Sequence, residues 1–150
     1  MEAGKLRLTN GALIGSLGLG SGKGGNVIVS ARESVAISGG NRQGSPSGIA
    51  SFTIGEPGSI SLSAPVVTID GGAVGTPGIL PGQRAGDITV KADQQLTLVN
   101  SAQINSATLT DSKGGNITIE AGRLTLTGGA QITSGTSGPG AYKGRFFIRH

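Results

Sequence analysis

The sequence predicts an all-β chain wound as a right-handed, single-stranded parallel β-helix, with about five coils of 28–33 residues and three short strands per coil. Three observations predict it: a repeat at nearly constant spacing, an apolar period of two within each repeat, and a composition poor in large side chains. Self-similarity at 20 to 50 residues is the mark of a solenoid. The segments EAGKLRLTNGALIGS (2–16) and EAGRLTLTGGAQITS (120–134) share 10 of 15 positions without a gap. Between them stand GGNVIVSA (24–31), GSISLSA (58–64), GDITVKA (86–92) and GGNITIEA (114–121). Aligned on their alanines, the copies place Ala3, Ala31, Ala64, Ala92 and Ala121 at successive gaps of 28, 33, 28 and 29 residues.

The first strand of each coil follows a glycine-containing turn. Alternation puts Ile117, Ile119 and Ala121 on one side and Thr118 and Glu120 on the other, the pattern of a half-buried strand. Ile88, Val90 and Ala92 repeat it. A second strand follows a short corner, with Leu6 and Leu8, Val35 and Ile37, Val67 and Ile69, Leu96 and Leu98, and Leu124 and Leu126 inward. A third is fainter, with Ala12 and Ile14, Ala102 and Ile104, and Ala130 and Ile132 inside. The segments Gly39 to Pro57 and Gly71 to Ala85 are expected to bulge outward, because both contain Pro and Gly and break the period.

Such a stack suits the composition. The 150 residues include 29 Gly and only 3% aromatics, with 35% hydrophobic residues overall, so the interior must be filled by rows of small aliphatics. Equivalent strands hydrogen-bond about 4.8 Å apart, so five coils rise about 24 Å. The whole chain, 1–150, reads as one segment, with coils starting near 24, 58, 86 and 114 and partial coils at 1–23 and 143–150. In the last of these, Phe146 and Ile148 fall at inward positions and His150 at that of the alanine. The atypical YKGRFFIRH ending has two open readings, a cap on the stack or foreign sequence.

Cysteine is absent, which excludes disulfides and thiolate metal sites. The net charge of +4 is concentrated at the end: residues 1–140 carry 9 Lys/Arg against 8 Asp/Glu, and Lys143, Arg145 and Arg149 supply the rest. No basic face for nucleic acid is evident in the body. No apolar run approaches the roughly 18 residues needed to span a bilayer, so membrane insertion is not expected. The opening residues carry Glu2 where a signal peptide wants positive charge, so no export signal is expected within the chain.

Units of the form GGNITIEAGRLTLTGGAQITSGTSGPG (114–140) resemble the repeats of filamentous-haemagglutinin-like proteins, a group abundant in cyanobacteria. The likeness covers nearly the whole chain and is strongest at 86–140. It implies two-partner secretion, a long β-helical shaft, and a place at the bacterial cell surface with an adhesive role. Family members carry an export-targeting domain recognised by an outer-membrane transporter. Nothing here resembles that domain and Met1 falls inside a repeat, so the chain is read as a fragment of a longer protein or a truncated open reading frame.

Motifs for chemistry are few. GSGKGG (20–25) satisfies G-x-G-x-x-G, yet NVIVSA follows it as a strand where a dinucleotide fold needs a helix. As a phosphate loop it also fails, since Lys23 is followed by Gly24 and not by Ser or Thr. A carbohydrate-active β-helix enzyme, lyase or hydrolase, is the rival reading. It requires carboxylates roughly 5 to 9.5 Å apart, and Glu33, Glu56, Asp70, Asp87, Asp93, Asp111 and Glu120 do not fall on matching positions of neighbouring coils. Asp87 instead matches Asn26, Ser59 and Asn116, while Asp93 matches Arg32, Pro65 and Gly122.

Lys91, Glu120 and Arg149 share an outward rung with Ser30 and Ser63, read as register support. The sequon Asn116-Ile117-Thr118 is read as a corner, because Asn26 occupies the equivalent place. No calcium-binding GGxGxDxUx repeat occurs, and His150 is the single histidine, so no triad or multi-histidine metal site can be assembled. No catalytic, cofactor-binding or metal residue is therefore assigned. The expected partners are surface carbohydrate or other cells, with end-to-end self-association through the exposed strand edges.

Overall fold

The computed structural model describes residues 2–20, 22–76, 84–108, 114–136 and 146–149. They form a parallel β-helix in which every named strand pair is parallel. In chain order the strands are β1 (Glu2–Leu8), β2 (Leu13–Gly18), β3 (Val27–Ser38), β4 (Gly48–Thr53), β5 (Ile60–Ser63), β6 (Val66–Asp70) and β7 (Ala73–Gly75). They continue as β8 (Ile88–Ala92), β9 (Gln95–Val99), β10 (Gln103–Thr108), β11 (Ile117–Ala121), β12 (Leu124–Leu126), β13 (Gln131–Thr136) and β14 (Phe146–Arg149).

Three faces run along the axis. The first stacks the opening half of β3 with β5, β8, β11 and β14. The second stacks β1, the closing half of β3, β6, β9 and β12. The third, in the order β13-β10-β7-β4-β2, is a separate sheet. The first two faces join through β3, which runs around a corner as one 12-residue strand.

Register matches the aligned alanines. Ala3 pairs Ala31 and Ala92 pairs Ala121, while Ser63 pairs Lys91 so that Ala64 follows in the same column. Side chains alternate across a strand, so each inward column becomes a row of aliphatics. Val29, Leu62, Val90 and Ile119 form one row, and Val35, Val67 and Leu96 another, each residue buried to 1% exposure or less. These rows are one continuous core. At the predicted sixth level, β14 pairs β11 with Phe146 opposite Ile117 and Arg149 opposite Glu120; His150 lies outside the described residues.

The third face corrects two expectations. Gly39 to Pro57 and Gly71 to Ala85 are not simply outward bulges, because they contain β4 and β7, the third strands of their coils. Ala12 is exposed rather than inside: it closes a tight corner ahead of β2, its N–H donating to the Thr9 carbonyl at 3.0 Å. The inward row of this face begins at Ile14 and runs through Ile49, Val74, Ile104 and Ile132.

The corner into the third face is a β-turn with two consecutive positive φ angles. Asn10 and Gly11 have φ of 57° and 82°, Asn100 and Ser101 of 56° and 64°, and Gly128 and Gly129 of 64° and 81°. Each is closed by an N–H to carbonyl bond three residues back, at Ala12, Ala102 and Ala130. Two left-handed residues define the type I′ turn, which explains the Asn and Gly found there.

Candidate functional site

A polar corner of the stack lies where the third face turns into the first. Here Gly25, Gly58, Gly86 and Gly115 form a column, each one residue before Asn26, Ser59, Asp87 and Asn116. The glycine column permits close approach of successive backbones: a Cβ on Gly58, Gly86 or Gly115 would fall within 3.0 Å of the carbonyl oxygen of the preceding glycine. Only glycine fits such a column.

Inside this corner the interior becomes polar. The row after Ile14, Ile49, Val74, Ile104 and Ile132 is Ser16, Ser51, Thr76, Ser106 and Ser134. Ser51, Thr76 and Ser106 are fully buried. Their hydroxyls bind the glycine carbonyls: Ser51 Oγ donates to Gly25 at 3.2 Å, Thr76 Oγ1 to Gly86 at 2.7 Å, and Ser106 Oγ to the same Gly86 oxygen. Ser134 Oγ donates to the Gly115 carbonyl. Buried carbonyls need donors, and these hydroxyls supply them.

Outside the glycines, side-chain oxygens tie one coil to the next. Asn26 Oδ1 accepts from the Ser59 N–H at 3.0 Å and from its hydroxyl at 3.1 Å. Asp87 Oδ1 accepts the Asn116 N–H at 2.8 Å. On the opposite side of the coil, Asn100 Nδ2 donates to Asp70 Oδ1 at 2.8 Å.

The corner carries an open crevice of about 250 Å³, whose charged lining is Lys23, Glu56, Arg84 and Asp87. It brings together two carboxylates, Glu56 and Asp87, that column alignment kept apart. Glu56 lies in the loop between β4 and β5, where no ladder position exists to align it. Sequence reasoning had no signal for this proximity beyond the shared glycine turn. With two cations and two anions among backbone edges, the crevice suits neutral, hydroxyl-rich or zwitterionic groups, which can both donate and accept.

The remaining carboxylates are dispersed. Glu33 pairs with Lys5 at 3.5 Å, both side chains being more than 60% exposed. Asp70 is bound to Asn100, and Asp93 lies in the bend after β8. Glu120 stands between Lys91 and Arg149 in register. Asp111 lies outside the described residues. The GSGKGG segment leads into β3 and not into a helix, as its strand context required. Among the described residues no group of three or more His, Cys, Asp or Glu could hold a metal ion, and no helix is long and apolar enough to cross a membrane.

A second surface is apolar. The outer side of the third face presents Leu13, Ala50, Ala73 and Gly75 beside Asn105, around a shallow depression of about 300 Å³. Leu13 and Leu17 are 64% and 67% exposed. No family model, curated protein or solved structure matches the chain.

Proposed function

We propose that the chain is a structural and adhesive shaft segment of a secreted bacterial surface protein of the filamentous-haemagglutinin-like type, with no catalytic role. The observation that carries this reading is the use made of the polar groups at the corner. Asn26 and Asp87 hold neighbouring coils together by accepting backbone N–H groups, and the buried hydroxyls saturate glycine carbonyls. Polar side chains committed to register are those of a spacer whose task is to persist in one shape. The repeat resemblance adds the surface location and the route through an outer-membrane transporter. Surface carbohydrate or neighbouring cells are the partners, met by the Thr, Ser and Gln side chains on the outer faces.

The test is adhesion without turnover. Beads coated with the chain are expected to bind host or neighbouring cells and to be displaced by soluble oligosaccharide, while no reducing ends are released from polysaccharide. Equal retention of beads carrying an unrelated β-helix would refute the adhesive part. The second reading, a carbohydrate-active enzyme, is favoured by the presence of Glu56 and Asp87 in one crevice. Sustained release of oligosaccharide that is lost in both Glu56→Gln and Asp87→Asn would establish it in place of the first.

A further inference from the structure

The crevice at the polar corner draws one charged side chain from each of three successive coils. Lys23, Glu56 and Arg84 each stand two residues ahead of a column glycine, Gly25, Gly58 and Gly86, and all three line the cavity of about 250 Å³. Asp87 is the fourth charged group there. These four residues are exposed, while Pro57, Gly58, Ala85 and Gly86 are buried behind them and form the floor. Two glycines, an alanine and a proline give that floor backbone and small carbon groups with no bulky side chain.

Opposite charges on neighbouring strands of the stack can pair across the coils, as Lys5 and Glu33 do at 3.5 Å. The crevice charges do not. Among the described residues no ion pair or hydrogen bond engages the side chains of Lys23, Glu56 or Arg84. Asp87 accepts the Asn116 N–H at 2.8 Å, one of the roughly four bonds that a carboxylate can accept. The Asn26 oxygen beside them is filled by the N–H and hydroxyl of Ser59. The corner thus holds hydrogen-bonding capacity that the register of the coils does not consume.

The balance of charge selects the ligand. Two cations face two anions, so the crevice has no net charge to draw in a free ion of either sign. A ligand that fits it must donate to carboxylates and accept from an ammonium and a guanidinium within one small volume, and sugar hydroxyls do both. The cavity is smaller than the roughly 300–1,000 Å³ of sites for drug-sized molecules, which leaves room for a single ring. Beyond the corner the first face continues with Ser61, Thr89 and Thr118 outward and in register. Their hydroxyls, about 4.8 Å apart along the axis, give the rest of an oligosaccharide a row to lie on.

We infer that this crevice binds one residue of a neutral carbohydrate. Glu56 and Asp87 accept from its hydroxyls, Lys23 and Arg84 donate to them, and its ring rests on Pro57 and Ala85. The inference rests on the adhesive reading and gives that adhesion a place on the molecule.

The test uses an array of neutral glucan, galactan and mannan oligosaccharides beside oligogalacturonate and chitosan oligosaccharides, followed by amide chemical-shift titration with the best-retained neutral glycan. A neutral glycan should be retained, with little change when salt is raised tenfold, and should shift the amides of Gly58, Ser59 and Gly86 but not those of Gly128 and Gly129 at the other corner. Glu56→Gln and Arg84→Gln alter exposed side chains that bond to nothing in the fold, so both should keep the wild-type circular dichroism spectrum and bind about tenfold more weakly. Glu33→Gln, away from the crevice, should bind like wild type.

A wild-type chain that retains no neutral glycan would overturn the inference, as would affinity unchanged in Glu56→Gln and Arg84→Gln. Preference for oligogalacturonate or chitosan with steep salt dependence would overturn the neutral class. Beads that adhere to cells equally well with the wild-type chain and with both crevice variants would remove the site and leave the adhesive reading standing.

Discussion

Replacing Gly86, in the buried glycine column, by alanine should destabilise the β-helix strongly. The added Cβ would stand less than 3.0 Å from the Gly58 carbonyl oxygen, 3.1 Å from the carbonyl carbon and 3.3 Å from Thr76 Cβ. Ordinary contact begins at 3.4 Å, and two of these neighbours are backbone, which no side-chain rotation can move. Relief requires β5 and β8 to part by about an ångström at that corner, against a strand spacing of about 4.8 Å. Forced overpacking costs about 1–3 kcal/mol. The displacement also stretches the Ile60 N–H bond to the Asp87 carbonyl, 2.9 Å long, and the bonds that the Gly86 oxygen accepts from Thr76 and Ser106. Losing one or two of these adds about 1 kcal/mol each.

The expected total is about 2–5 kcal/mol, or about one and a half to three and a half orders of magnitude in the unfolding constant. Urea unfolding followed by far-ultraviolet circular dichroism reads it, with Gly22→Ala as the control. A Cβ on Gly22 meets nothing within 4 Å, so that variant should lie within about 0.5 kcal/mol of wild type. Equal midpoints and slopes for Gly86→Ala and Gly22→Ala would refute the stacked-glycine geometry.

Two further outcomes follow from the same corners. Thr76→Val keeps the shape of a buried side chain but deletes the hydroxyl that donates to the Gly86 carbonyl. Ser106 remains on that oxygen, so the loss should be about 1–2 kcal/mol, read by the same urea titration; an unchanged midpoint would show that the buried hydroxyl contributes nothing. Ser101→Gly should stabilise the chain by about 0.5–1 kcal/mol, because Ser101 holds a φ of 64° where the equivalent corners carry Gly11 and Gly129. A melting temperature that falls instead would show that the serine side chain offsets its backbone strain.

The first two faces were legible in the sequence because their inward positions are aliphatic and their outward ones polar. Val35 and Ile37 above Leu6 and Leu8 are apolar on every level, so the period of two survives in each coil. The third face hid its strands for a physical reason. Its second inward position lies against the glycine carbonyls, where an aliphatic side chain would leave them without donors, so Ser51 and Thr76 stand where Leu or Val would otherwise mark a strand. In β4 this reduces the apolar inward signal to Ile49, and in the three-residue β7 to Val74. Both segments therefore read as glycine-rich loops. The crevice was less legible still, since Glu56 reaches it from irregular backbone that carries no register.

The glycine column and the hydroxyl row are one device seen from two sides. Removing every side chain from the corner lets the backbones of successive coils close up, but it also buries carbonyl groups that water would otherwise satisfy. The hydroxyls of Ser51, Thr76, Ser106 and Ser134 restore those bonds from within. Neither half is stable alone: glycines without hydroxyls leave buried acceptors unpaired, and hydroxyls without glycines cannot reach the carbonyls. The composition follows from this coupling. A chain that repeats the corner at every level must be rich in Gly, Ser and Thr, and its few large aliphatics are reserved for the rows that the corner does not touch. The same repetition makes each coil a template for the next.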